Sequence, residues 1–133
     1  MAKEFINPEG LASPRGYTQV VTAPGGKLVF VSGQVALDAA GKLVGPGDLR
    51  AQATKTYENL ITALRAAGAR PDDVLKMTVY VVNYKAEHLA VIREVRGRSF
   101  PREDRMPAST LVGVQALAFE GLLIEVEAIA VVE

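Results

Sequence analysis

Residues Arg105–Val131 read RMPASTLVGVQALAFEGLLIEVEAIAV, and the alternation within this stretch decides how the chain is expected to fold. Along 124–130, Glu125, Glu127 and Ile129 point to one face, while Ile124, Val126, Ala128 and Ala130 point to the other. This is a strand with carboxylates set into one of its sides. Those carboxylates call for solvent, an ion pair or a site opposite them. Thr110–Gln115 and Leu122–Val131 are the last two strands of the chain, joined by a short connection.

Working back from there, Pro101 and Pro107 bracket a charged loop containing Arg102, Glu103, Asp104 and Arg105. Asn83 is placed to cap a helix running to about residue 97, with Leu89, Ile92 and Val95 inward. Val74–Val82, VLKMTVYVV, is a strand apolar on both faces and therefore central. Between Asp48 and Ala67 the period changes. Leu49, Ala53, Tyr57, Leu60 and Leu64 recur at steps of three and four, with Asp48 at the start, Gly68 at the stop and Pro71 beyond. Tyr17–Ala23 and Lys27–Ser32 flank Pro24-Gly25-Gly26 as a hairpin would, and Val35–Leu37 has the length of one more short strand. Residues 1–16 form an irregular lead-in. The order predicts an α+β or α/β sandwich, one sheet with both helices on one face. Leu75, Met77, Val79 and Val81, with Val29, Val31, Ile129 and Val131, make both sheet faces apolar, so the uncovered face is expected against another subunit.

Composition narrows the function classes. The 133 residues suit one domain, 1–133, with 49% hydrophobic and 23% charged residues. Fifteen basic residues cancel fifteen acidic ones, which argues against nucleic acid or an anionic membrane as partner. With no cysteine and one histidine, neither a disulfide nor a thiolate- or histidine-built metal site is expected. The chain has no apolar run of signal-peptide or membrane-spanning character, and a cytoplasmic location is the corresponding expectation.

Three stretches carry candidate chemistry. Ser32-Gly33-Gln34 ends a buried strand either in a β-bulge or in backbone open to a ligand. Pro107-Ala108-Ser109-Thr110 opens a strand with small residues, as a turn or as a binding edge. Glu125 and Glu127 share one side of their strand, wet or functional. His88 reads as a satisfied or solvated surface histidine. The run Arg93, Arg96, Arg98, Arg102 and Arg105, interleaved with Glu94, Glu103 and Asp104, reads as a solvated helix end and loop.

Taken in order, Gly16-Tyr17, VSGQ at 31–34, AAGA at 66–69, KMTVYVV at 76–82, RMPA at 105–108 and IEVEAIA at 124–130 resemble the RidA family, also called the YjgF/YER057c/UK114 family. The likeness spans nearly the whole chain. It implies a chorismate-mutase-like mixed sheet backed by two helices, three copies packing their bare faces into a central barrel. It also implies clefts for a small metabolite between subunits, lined by Tyr17, Ser32, Gly33 and Glu125. In the family's deaminase branch an arginine directly after Pro-Ala holds the carboxylate of 2-aminoacrylate-type enamines and imines. A glutamate matching Glu125 handles the attacking water, without metal or organic cofactor. Here Ser109, followed by Thr110, occupies the arginine's place, and Leu111 stands where many deaminases carry cysteine. A serine cannot supply a guanidinium fork, and the Arg105 α-carbon lies roughly 13 Å from that of Ser109 along an extended segment. The expectation is a cofactor-free, arginine-lacking member with Glu125 catalytic and with Tyr17, Ser32, Gly33, Ser109 and Thr110 binding the ligand. Its imine hydrolysis is expected to be weak or absent. The alternatives are a non-catalytic metabolite-binding trimer and, behind it, an RNA- or translation-linked protein. Glu127 has only a structural partner or a wet face.

Overall fold

The computed structural model describes residues 3–11, 13–14 and 16–133. Eight main elements follow in order. They are β1 (Glu4–Ile6), β2 (Val20–Thr22), β3 (Lys27–Gln34), α1 (Leu49–Ala66), β4 (Val74–Val82), α2 (His88–Ser99), β5 (Ala108–Val114) and β6 (Ile124–Val132). The main sheet runs β3-β6-β4-β5. β6 pairs antiparallel with both β3 and β4, and β4 pairs parallel with β5. The last strand is therefore interior, and the carboxylates of IEVEAIA lie within the sheet, not at its edge.

Both helices cover one face, as the periodicity predicts. Ala53, Tyr57, Leu60 and Leu64 of α1, with Ile92 and Val95 of α2, are buried against Met77, Val79, Val81, Ile124, Val126 and Ala130. Asp48 caps α1 by accepting from the Ala51 N–H at 3.0 Å. The helix stops where Gly68 takes φ +78°, which lets the Ala69 N–H reach the Leu64 carbonyl at 2.9 Å. Gln52, fully buried at the start of α1, donates to the carbonyls of Gly45 and Gly121 and accepts from the Leu123 N–H. It ties α1 to the connection leading into β6.

Several expectations need correcting. The segments before and after Pro24-Gly25-Gly26 do not pair with each other. β2 pairs with β1 in a separate two-stranded sheet, and β3 takes β6 instead. The turn is a crossing point between sheets: Gly26 has φ +116°, and a Cβ there would lie 2.6 Å from the Val132 carbonyl oxygen. β1 was hidden in the lead-in because three residues are too few to display a period. Met1, Ala2, Ala12 and Arg15 of that lead-in lie outside the described residues. Val35–Leu37 contributes one isolated bridge, Leu37 to Leu43, in place of a strand. Asn83 is not a helix cap. It takes φ +49°, which asparagine tolerates, and its N–H donates to the Val114 carbonyl. α2 begins five residues later, at His88.

The open face also differs from expectation. A register shift between Val74 and Lys76 breaks the phase of β4, so Leu75 leaves the row of Met77, Val79 and Val81. That row, together with Val29, is buried under the helices. The open face instead presents Lys76, Thr78 and Tyr80 of β4 beside Glu125, Glu127 and Ile129 of β6. Exposed Leu28 and Phe30 flank this stripe on β3, and Val112 on β5. It is polar through the middle and apolar at both margins.

Candidate functional site

The expected site residues fall into two groups on opposite edges of the sheet. On the β3 side, the pairing with β6 slips between Val31 and Gln34, so Ser32 and Gly33 form a bulge. This bulge is also a close approach. A Cβ on Gly33 would lie 2.6 Å from the Glu125 carboxyl carbon and nearer still to Oε2. Gly33 is thus a bulge residue: the extra residue bends β3, and the missing side chain leaves room for the Glu125 carboxylate. The Gln34 side chain donates back to the Ser32 carbonyl at 3.0 Å, holding the bend.

Glu125 is half-buried and faces Tyr80 across the β4–β6 pair, while exposed Glu127 faces Thr78. The Tyr80 hydroxyl donates to Glu127. Its phenol is held above the ordinary tyrosine value by desolvation first, then by the Glu127 charge, their hydrogen bond and the Glu125 charge. Glu127 therefore has a defined partner, in keeping with the structural role expected for it.

On the β5 side, Thr18 joins the start of the strand. Its N–H donates to the Pro107 carbonyl at 3.0 Å, its hydroxyl bonds the Met106 carbonyl, and it bridges Ala108. Tyr17 is thereby held beside the Pro107–Thr110 segment. Ser109 and Thr110 project from opposite faces: Ser109 stands opposite buried Met77, and Thr110 stands opposite Thr78 on the open side. Thr110 Oγ1 accepts from Lys76 Nζ at 2.6 Å. Three inter-strand spacings, about 14 Å, separate the β5 and β3 edges. One protomer thus brings Ser32, Gly33 and Glu125 together, and Tyr17, Ser109 and Thr110 together, but does not join the two groups.

His88 is a satisfied histidine, one of the two forms expected of it, whereas Arg96 departs from the solvated reading of its stretch. His88 Nδ1 accepts from the Lys85 N–H at 3.0 Å, and its ring meets Tyr84 edge-on at 5.9 Å, fastening the turn into α2. Arg96 is 6% exposed, so it does not belong to a solvated run. The signal was present in the spacing. Arg96 follows Ile92 by four and Val95 by one, placing it at the margin of the apolar stripe of α2. The outer arginines do behave as expected: Arg102 pairs with Asp72 and Asp104, while Arg105 lies over the Phe5 ring at 5.0 Å. Arg93, Arg96 and Tyr17 line a cavity of about 700 Å³ between α2 and the segment leading into β2.

No helix among the described residues is long and apolar enough to cross a membrane. Residues 9–132 match the model of the endoribonuclease L-PSP family. A RutC family protein of Pyrococcus abyssi is 34% identical over 128 residues, covering 90% of this chain and 99% of that protein. A 2-iminobutanoate/2-iminopropanoate deaminase of Dermatophagoides farinae is 28% identical over 132 residues, covering 98% of each. Among solved structures, the Rid-family protein YyfB of Yersinia pestis, of unknown function, superposes with a TM-score of 0.92 at 41% identity. That match covers 99% of this chain and all of the other.

Proposed function

The chain belongs to the Rid family, whose sequence model is called endoribonuclease L-PSP, and from that premise we propose that it binds a small metabolite in clefts formed between the copies of a homotrimer. The observation that carries this reading is the division of the candidate residues between the β3–β6 side of the sheet and its β5 edge, which one protomer does not join. A second copy, setting its β5 edge against the β3 edge of the first, supplies Tyr17, Ser109 and Thr110 to Ser32, Gly33 and Glu125. The Glu125 carboxylate, lodged over a glycine bulge, is the group placed to handle water.

The chemistry is hydrolytic deamination of an enamine or its imine tautomer. Glu125 takes a proton from water as the oxygen bonds to the imine carbon and passes it to the imine nitrogen, giving a carbinolamine. The hydroxyl proton then moves through Glu125 to that nitrogen as the C–N bond breaks, yielding a keto product and ammonia. No step calls on a metal or organic cofactor. Ser109 sets the limit on this activity. A neutral hydroxyl offers a substrate carboxylate one hydrogen bond, where a guanidinium offers a charged, two-pronged one. Substrates of the 2-aminoacrylate type are therefore turned over weakly or not at all.

Hydrolysis of enzymatically generated 2-iminopropionate tests both parts. Wild type is expected to stay within about tenfold of buffer, and Ser109→Arg to exceed wild type by at least tenfold, since a well-made charged contact contributes about 1.5–3 kcal/mol. Glu125→Gln in the Ser109→Arg background removes the gain. Wild type acting as fast as an arginine-bearing deaminase would refute the limiting role of Ser109. A gain that survives Glu125→Gln would refute the role of Glu125.

A further inference from the structure

The cavity beneath α2 is not explained by the intersubunit cleft. Arg96 is 94% removed from solvent by relative area. No carboxylate among the described residues lies within ion-pair distance of its guanidinium. Burial pulls its pKa down, Tyr57 nearby raises it slightly, and the like charge of Arg93 lowers it again. Tyr57 provides no negative charge at neutral pH, because burial pushes its own phenol up to about 12. A buried cation without a counter-charge is unfavourable. An arginine serving only the carbonyl end of α2 would do so equally well from the surface, as exposed Arg98 does.

The surroundings make room for this side chain. Gly16 holds φ +72°, and a Cβ there would collide with the Arg96 guanidinium. The guanidinium therefore approaches bare backbone at Gly16, at the wall of the cavity that Tyr17, Asn7 and Arg93 share. Glu103 is the acidic residue in the lining, and it is exposed.

We propose that this cavity is an anion site taking a small molecule with a carboxylate or phosphate group, gripped by Arg96 with Arg93 and the Tyr17 hydroxyl in support. The oxyanion supplies the counter-charge that Arg96 lacks, in the two-oxygen geometry that a guanidinium matches. The site lies within one protomer and uses neither Glu125 nor the β3 edge, so it stands apart from the cleft except for the shared Tyr17.

The test is a titration of the ¹⁵N-labelled full chain with sodium acetate and with inorganic phosphate, ionic strength being held constant with sodium chloride. The arginine Nε–Hε signals are followed together with the Gly16 and Gly97 amides. A saturable shift of the Arg96 signal is expected with at least one of the two anions. Arg96→Lys should weaken it at least fivefold. Arg93→Gln should weaken it two- to fivefold, and Glu103→Gln should strengthen it by a similar factor. Those last two surface variants keep the test decisive should Arg96→Lys fail to fold. Glu125→Gln, which disables the proposed hydrolysis, leaves the titration unchanged. Preference between acetate and phosphate identifies the ligand group, and either preference supports the site. Shifts that never saturate, that chloride reproduces, or that ignore both surface variants would overturn it.

Discussion

Tyr57 packs its ring edge-on against Phe100, with centroids 6.4 Å apart, and carries its hydroxyl into the core beside Arg96 with no hydrogen-bond partner. Burial raises the phenol pKa to about 12, against an unfolded value of about 10. The sign follows from linkage. The stability this group contributes is fully present below pH 10 and is lost as pH rises through 12, because the unfolded chain ionises first. Over that interval wild type is expected to lose about 2–3 kcal/mol more than Tyr57→Phe, measured as the difference between their urea curves. At pH 7 the phenylalanine variant should match or exceed wild type, since it removes a hydroxyl that has no acceptor. A loss above about 1 kcal/mol at neutral pH would show that the hydroxyl is satisfied after all. The sequence marks Tyr57 as inward through its helical spacing. Nothing local announces its bare hydroxyl, which depends on Arg96 arriving from another helix.

At the scale of elements, patterns longer than two helical turns or six strand residues were legible. α1, β4 and β6 stand within one or two residues of their expected bounds, because each displays its period several times over. β1 and β2, at three residues each, do not, and their pairing follows from β3 being claimed by β6. Gln52 shows the same limit. The helical spacing of α1 does not single it out, yet its amide closes three hydrogen bonds, one on the loop before the helix and two on the connection 69 and 71 residues further on. Gln52→Leu is expected to cost about 2–4 kcal/mol in a urea unfolding experiment, leaving the Gly121 carbonyl and the Leu123 N–H to find other partners while the Gly45 carbonyl keeps the Asp48 N–H. A cost below about 1 kcal/mol would mean that water replaces the amide in full. The candidate site was legible only in part. Gly33 and Glu125 were identifiable separately, whereas their contact arises from a strand pairing that joins distant parts of the chain.

For the molecule as a whole, the proposed trimer rests on the open face. Phe30 is 71% exposed and Leu28 is 58% exposed, beside a polar stripe that a single chain leaves bare. The proposed trimer covers them. Phe30→Asp would place a carboxylate in that contact without a partner, so light scattering after size exclusion should show the assembled mass falling toward the 14.2 kDa of one chain. A wild-type protein already monomeric at micromolar concentration would sink the trimer. So would a Phe30→Asp variant with an undiminished assembled mass. The apolar patterning announced an uncovered face without saying which residues it holds, and the bulge between Val74 and Lys76, which takes Leu75 out of the buried row of β4, is invisible in the alternation alone.

The interior place of β6 bears on how the protein is made. β3, with Leu28 and Phe30, leaves the ribosome early, but the strand that pairs with it is synthesised roughly a hundred residues later, a delay of about 5–20 seconds at ordinary elongation rates. Over that interval an apolar strand waits with its hydrogen-bonding edge unpaired. A stall before Ile124 would leave the sheet without the strand that joins β3 to β4, so the main sheet closes only once the final strand is translated.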